Sequence, residues 1–224
     1  MAETVARSRL ENAVAAMKTG IANREKEAFS IPENRFHKHQ RRADELASRR
    51  SVKRFVRPEN AAALCEQLPS PGEIVHSILR GDFVLGDALP ALLRVTGSCP
   101  HLQISTLALS RKNAETLRQL VESGKVGRLS LIVSHYFRAV DKLSTFHTVT
   151  QILAGITEVK VARCHAKVIL LANACGDAFV FEGSANLRSS DTLEQLTIFN
   201  DADLHAFHAS WMADLKNIPH KNPA

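Results

Sequence analysis

His165 and Lys167 stand two residues apart at the head of an apolar run, and Gly183-Ser184-Ala185-Asn186 closes the next one. The stretch HAKVILLANACGDAFVFEGSAN therefore carries polar groups at both ends of what reads as a strand pair. Hairpin packing accounts for the valines, isoleucines and leucines but asks for none of those polar residues. On a strand, residues i and i+2 project to one face, so His165 and Lys167 address one site while Val168 and Leu170 take the other parity. Imidazole is a nucleophile and the lysine ammonium a fixed positive charge. Gly183 permits a close approach of backbone to ligand, and Ser184 and Asn186 offer neutral donors to a phosphoryl oxygen. If the two ends of the hairpin meet, they meet around a phosphate.

The elements that must position these groups are legible from about Pro69 onward. DFVLGDALPALLRVT reads as a short strand or turn feeding a helix, and LQISTLAL from Leu102 as a buried strand. SRKNAETLRQLVESG reads as a helix capped by Ser110 and stopped at Gly124. GRLSLIVSHYF is a further strand, and a helical stretch spans roughly 139–154. EVKVAR, HAKVILLAN, DAFVFEGSA and EQLTIFND then follow as strand candidates. LHAFHASWMADLKN closes the chain as a helix with Phe207, Trp211 and Leu215 on one face. Alternating strands and helices predict an α/β domain, and the close spacing of the last strands makes its sheet mixed, flanked by helices. The expected boundaries are 1–68 for an N-terminal extension and 69–224 for the domain.

Charge separates the two parts. Residues 1–60 hold 14 Lys and Arg against 8 Asp and Glu, and the rest of the 224 residues are balanced at 15 of each. The extension is thus basic, either a solvated helix, a disordered segment or a phosphate-binding arm. As an arm, Arg41, Arg42, Arg49, Arg50, Lys53 and Arg54 would neutralise nucleic-acid phosphates without reading sequence. Aromatic residues are sparse there, so base stacking is not expected. Four scattered cysteines with no CxxC pair signal neither a zinc site nor a disulfide framework and fit a reducing cytoplasm. The N-terminus lacks the apolar stretch of a signal peptide, and no run approaches the roughly 18 residues of a membrane span. A soluble intracellular protein is expected, with no membrane partner.

His165, Lys167, Gly183, Ser184 and Asn186 spell H-x-K followed by G-S-x-N, and in this the sequence resembles the phospholipase D superfamily. The resemblance covers residues 75–215, with its specific part near thirty residues long. It implies a phospholipase D-like fold and metal-independent phosphodiester cleavage in two steps, with no cofactor. His165 would form a phosphohistidine, and Lys167, Ser184 and Asn186 would hold the phosphate. A second histidine would protonate the leaving group. Glu194 matches the family's glutamate on the next strand, near the histidine, and is expected to orient His165. One departure stands out: the aspartate usually found five residues after the lysine is here Ala172, and the nearest acid is Asp177. A chain with one H-x-K must find its second histidine elsewhere, and single-motif relatives find it by pairing two chains. The resemblance therefore implies a homodimer sharing one site. Failing that, His135 and His147 are the first candidates for the second acid.

Three classes of function remain open from the sequence. A nuclease-like phosphodiesterase combines the motif with the basic arm. A nucleic-acid-binding protein without turnover is the alternative to which Ala172 points. A phospholipid-active enzyme lacks the amphipathic or apolar surface segment it would need. No metal ligation is expected, since only His205 and His208, three apart on the last helix, have a spacing that permits it.

Overall fold

The computed structural model describes residues 52–80, 83, 85–140, 144–188 and 192–219. Its strands, in chain order, are β1 (Val52–Val56), β2 (Glu73–Leu79), β3 (Cys99–Thr106), β4 (Val126–Ser134), β5 (Val159–Ala162), β6 (Val168–Ala172), β7 (Ala178–Gly183) and β8 (Glu194–Asn200). The helices are α1 (Ala61–Cys65), α2 (Leu85–Thr96), α3 (Arg111–Glu122), α4 (His135–Ala139), α5 (Thr145–Ile152) and α6 (Ala202–Asp214). The strands form one eight-stranded sheet in the order β1-β2-β8-β7-β6-β3-β4-β5. Pairing is parallel for β1–β2, β3–β4 and β4–β5 and antiparallel elsewhere, so the sheet is mixed as the strand spacing required.

Following the pairing along the sheet, β1, β2, β7, β3, β4 and β5 all run in one direction, and β6 and β8 run against them. One edge of the sheet therefore gathers six strand C-termini together with the N-termini of β6 and β8. The residues just outside those termini are His165 and Lys167, Ser184 and Asn186, and at the head of β8 itself, Glu194. The carboxyl edge of an α/β sheet is where ligands ordinarily bind.

The larger core lies between one sheet face and the helices α1, α2, α3 and α5. Helix α3 shows how sequence builds it. Ser110 Oγ accepts from the Asn113 amide at 3.2 Å, and Gly124 ends the element at φ 71°. Ala114, Leu117 and Leu120, at helical spacing, are buried against the sheet. Each fully buried leucine contributes roughly 1.5–3 kcal/mol. A smaller cluster on the opposite face, with Ile132, Val168, Leu170 and Val180, is covered by Met212 of α6.

The structure moves three expectations. β1, α1 and β2 were not anticipated, and β1 and α1 fall inside the stretch assigned to the basic extension, so among the described residues the sheet begins at Val52. His135, Tyr136 and Phe137 leave the strand predicted over GRLSLIVSHYF to open α4, because Ser134 caps that turn by accepting from the Tyr136 amide. On α6 the covering face carries His208 and Met212, with Trp211 and Leu215 packed beside them, while Phe207 is half exposed.

Candidate active site

The HAK segment is held as a loop entering β6 rather than as the start of the strand. Buried Ser105 on β3 fixes it by donating to the Ala166 carbonyl at 2.9 Å, and the Gly183 amide donates to the Lys167 carbonyl at 3.3 Å. Within the loop, Lys167 Nζ lies 3.0 Å from His165 Nδ1 and 3.0 Å from the His165 carbonyl oxygen. The two side chains do address one place, and His165 is exposed. Partial burial pushes the Lys167 ammonium below the ordinary lysine range, and the Glu194 carboxylate opposes that shift.

The other end of the hairpin is brought alongside by contact with β8 and β3. A Cβ at Gly183 would lie 2.1 Å from the Gln195 carbonyl oxygen, so only glycine lets β7 close on β8 here. Ser184 Oγ accepts from the Gln195 amide at 2.9 Å and donates to Glu194 Oε2, while Glu194 Oε1 accepts from Thr192 at 3.4 Å. Asn186 Oδ1 accepts from the Leu107 amide at 3.2 Å, which fixes the side-chain amide with its NH2 as the remaining donor. Leu187, next in line, accepts at its carbonyl from the Ser110 amide and from Asn113 Nδ2, both at 2.8 Å. The loop bearing Asn186 is thus tied to the end of β3 and the start of α3.

His165, Lys167, Ser184, Asn186 and Glu194 all lie at this sheet edge. The arrangement departs from expectation in one respect. Both Glu194 oxygens are engaged by Ser184 and Thr192, and neither is bonded to His165, so Glu194 positions Ser184 instead of the imidazole. Asp177 sits at the opposite end of the hairpin, accepting from Asn173 at 2.9 Å and Asn200 at 2.8 Å. It closes the turn beside Ala172 and does not reach the HAK loop. Of the arm residues, Arg41, Arg42, Arg49 and Arg50 lie outside the described residues. Lys53 is exposed on β1, whereas Arg54 spends its guanidinium on the Gln67 and Leu68 carbonyls, each at 3.0 Å, and on Glu73 at 3.5 Å. Arg54 is therefore a fixed part of the fold.

His208 is buried, placing Nε2 2.5 Å from Glu182 and accepting at Nδ1 from the Trp211 indole at 2.8 Å. Both of its nitrogens are occupied, so it and His205 do not form a metal pair. His135 is exposed just beyond β4, two strands from β6 at the same sheet edge. His147 is exposed on α5. No helix among the described residues is long and apolar enough to cross a membrane.

No family model and no curated protein matches the chain. Among solved structures, it is similar to the phospholipase D family member Nuc from Salmonella typhimurium, at 12% identity over 66% of this chain and 99% of that one, with a TM-score of 0.47. Polyphosphate kinase from Porphyromonas gingivalis matches at 15% identity over 69% of this chain and 26% of that one, TM-score 0.43. A mutant of yeast tyrosyl-DNA phosphodiesterase matches at 15% over 55% and 27%, TM-score 0.32. The residues of the H-x-K and G-S-x-N motifs are those that the sheet edge gathers.

Proposed function

We propose that this chain is a phosphodiesterase of the phospholipase D type, acting without a metal ion on nucleic acid through a phosphohistidine at His165. The observation that carries the reading is the placement of His165 and Lys167, 3.0 Å apart, at the sheet edge that also holds Ser184 and Asn186. When a phosphodiester enters, Lys167 transfers its donors from His165 to the phosphoryl oxygens, and the Asn186 NH2 joins it. A ring nitrogen of His165 forms a bond to phosphorus as the bond to the leaving oxygen breaks, and a second histidine gives that oxygen its proton. The same histidine then takes a proton from water, whose oxygen attacks phosphorus and releases His165.

The second histidine is supplied by another copy of the chain, the two HAK loops facing each other across a two-fold axis. Lys53 and the basic segment before it add unspecific attraction for a polyanion. Ala172 favours the alternative of a binding protein without turnover, and one experiment separates the two. Cleavage of DNA, RNA and a phospholipid is followed in EDTA, for the parent and for His165→Ala. The expected result is EDTA-resistant cleavage of a nucleic acid that falls roughly 10⁴-fold or more in the variant, with the fold retained. Equal turnover by a folded variant would remove His165 from the reaction, and no turnover by the parent on any diester would support the binding protein.

A further inference from the structure

A cavity of about 420 Å³ opens beside Ser184 and Glu194 on the side toward β1 and β2. Arg57 and Arg80, each just past the end of its strand, line it together with Ile78 and Leu193. Both arginines are exposed, and neither guanidinium has a hydrogen-bond or ion-pair partner among the described residues. Arg54, three residues before Arg57, is by contrast bonded to backbone carbonyls and to Glu73. The charges at the cavity are not consumed by the fold.

A second observation lies on the same sheet face. Phe55 is 79% exposed and stacks on His76, with ring centroids 5.4 Å apart and planes 16° from parallel. Strand alternation places Phe55 and Arg57 on one side of β1, and His76, Ile78 and Arg80 on one side of β2. An aromatic platform on an open sheet beside free guanidiniums holds unstacked bases on the ring and phosphates on the charges. A duplex keeps its bases inside and cannot present them to Phe55. β2 is three strands from β6, at whose head Lys167 stands, about 14 Å in the sheet order, a distance of about two phosphates along an extended strand.

We infer that this face is a track for a single nucleic-acid strand: Arg80 and Arg57 hold phosphates about two or more nucleotides along from the one at Lys167, and Phe55 with His76 stacks a base farther along. The track rests on the proposed nucleic-acid substrate, and it names that substrate as single-stranded.

The test is fluorescence anisotropy of a labelled oligothymidylate and of a duplex of equal length, titrated at several salt concentrations with the full chain carrying His165→Ala as the parent, so that the bound strand is not cut, while hydrolysis is followed separately with His165 intact. The parent is expected to prefer the single strand. Arg57→Ala with Arg80→Ala should weaken binding at least tenfold and reduce the salt slope by about 1.4, the value for two phosphate contacts on a single strand. Replacing both by lysine should restore the slope. Phe55→Ser should weaken binding by about fivefold or more with the slope unchanged. Unaltered affinity and slope in the folded arginine variant would overturn the track. So would a Phe55→Ser chain that binds as the parent does but sediments as a monomer where the parent is a dimer, since the face would then join two copies. Strand binding with these losses but no hydrolysis would retire the enzymatic reading and leave the track standing. Cleavage of a small diester without strand preference would do the reverse.

Discussion

Gly183 shows how much one residue decides here. Its missing Cβ is a matter of β7 meeting β8, since the Gln195 carbonyl oxygen occupies the position 2.1 Å from where a methyl would begin. Gly183→Ala should therefore force the strands apart, lowering stability by about 1–3 kcal/mol in urea unfolding, and should lower turnover further by displacing Ser184. A variant as stable as the parent would show that β8 can yield without cost. The sequence pointed to this glycine, but as a place for ligand to approach; the neighbour that fills the space is the next strand, which no local pattern reveals. His165, Lys167, Ser184 and Asn186 were legible because polar groups interrupt an apolar hairpin. The role of Glu194 was not, because its hydrogen bonds to Ser184 and Thr192 depend on how the head of β8 is placed against the end of β7.

At the scale of elements, α6 and β3 set a dependence on pH. Burial lowers the pKa of His101 on β3, with help from Arg128, and burial also lowers that of His205 on α6, with help from His101 and His208. Both are depressed from an ordinary 6.5, so the unfolded chain binds these protons first. Their contribution to stability is full above pH 6.5 and is lost as pH falls below it through the folded values. Thermal unfolding followed downward from pH 7 should show this loss, and His101→Gln with His205→Gln should flatten it; an unchanged profile would place the acid sensitivity elsewhere. The strands and helices after Leu102 were readable because apolar periodicity marks them. β1 was hidden because an edge strand of sequence VKRFV has one exposed face and carries two cations, which read as a solvated arm. Phe55 went unread with it, since its exposure follows from its place on a sheet face that no helix covers among the described residues. Phe207 was misassigned because the α6 face is set by His208 and Met212, and His208 is buried by its bonds to Glu182 and Trp211 and not by hydrophobicity.

At the scale of the molecule, the two-histidine reaction proposed above is incomplete with one HAK loop per chain unless a second copy supplies its partner. A tight phosphate analogue should accordingly bind once per two chains in calorimetry, with cleavage falling on dilution as dimers dissociate. Full activity in a stable monomer would direct attention to His135, which shares the sheet edge two strands away. The mixed sheet explains why the site exists at all: strand direction alone collects the termini of β6, β7 and β8 beside the end of β3. The central claim is that His165 bonds to phosphorus, and it is tested most directly by trapping that bond. Chains mixed with a nucleic-acid diester in EDTA are quenched in alkali, where phosphohistidine survives, and peptides are mapped by mass spectrometry. The account predicts a nucleotidyl adduct on His165 that forms and decays at the rate of turnover. Cleavage that proceeds with no adduct there, or with the adduct on another residue, would contradict it.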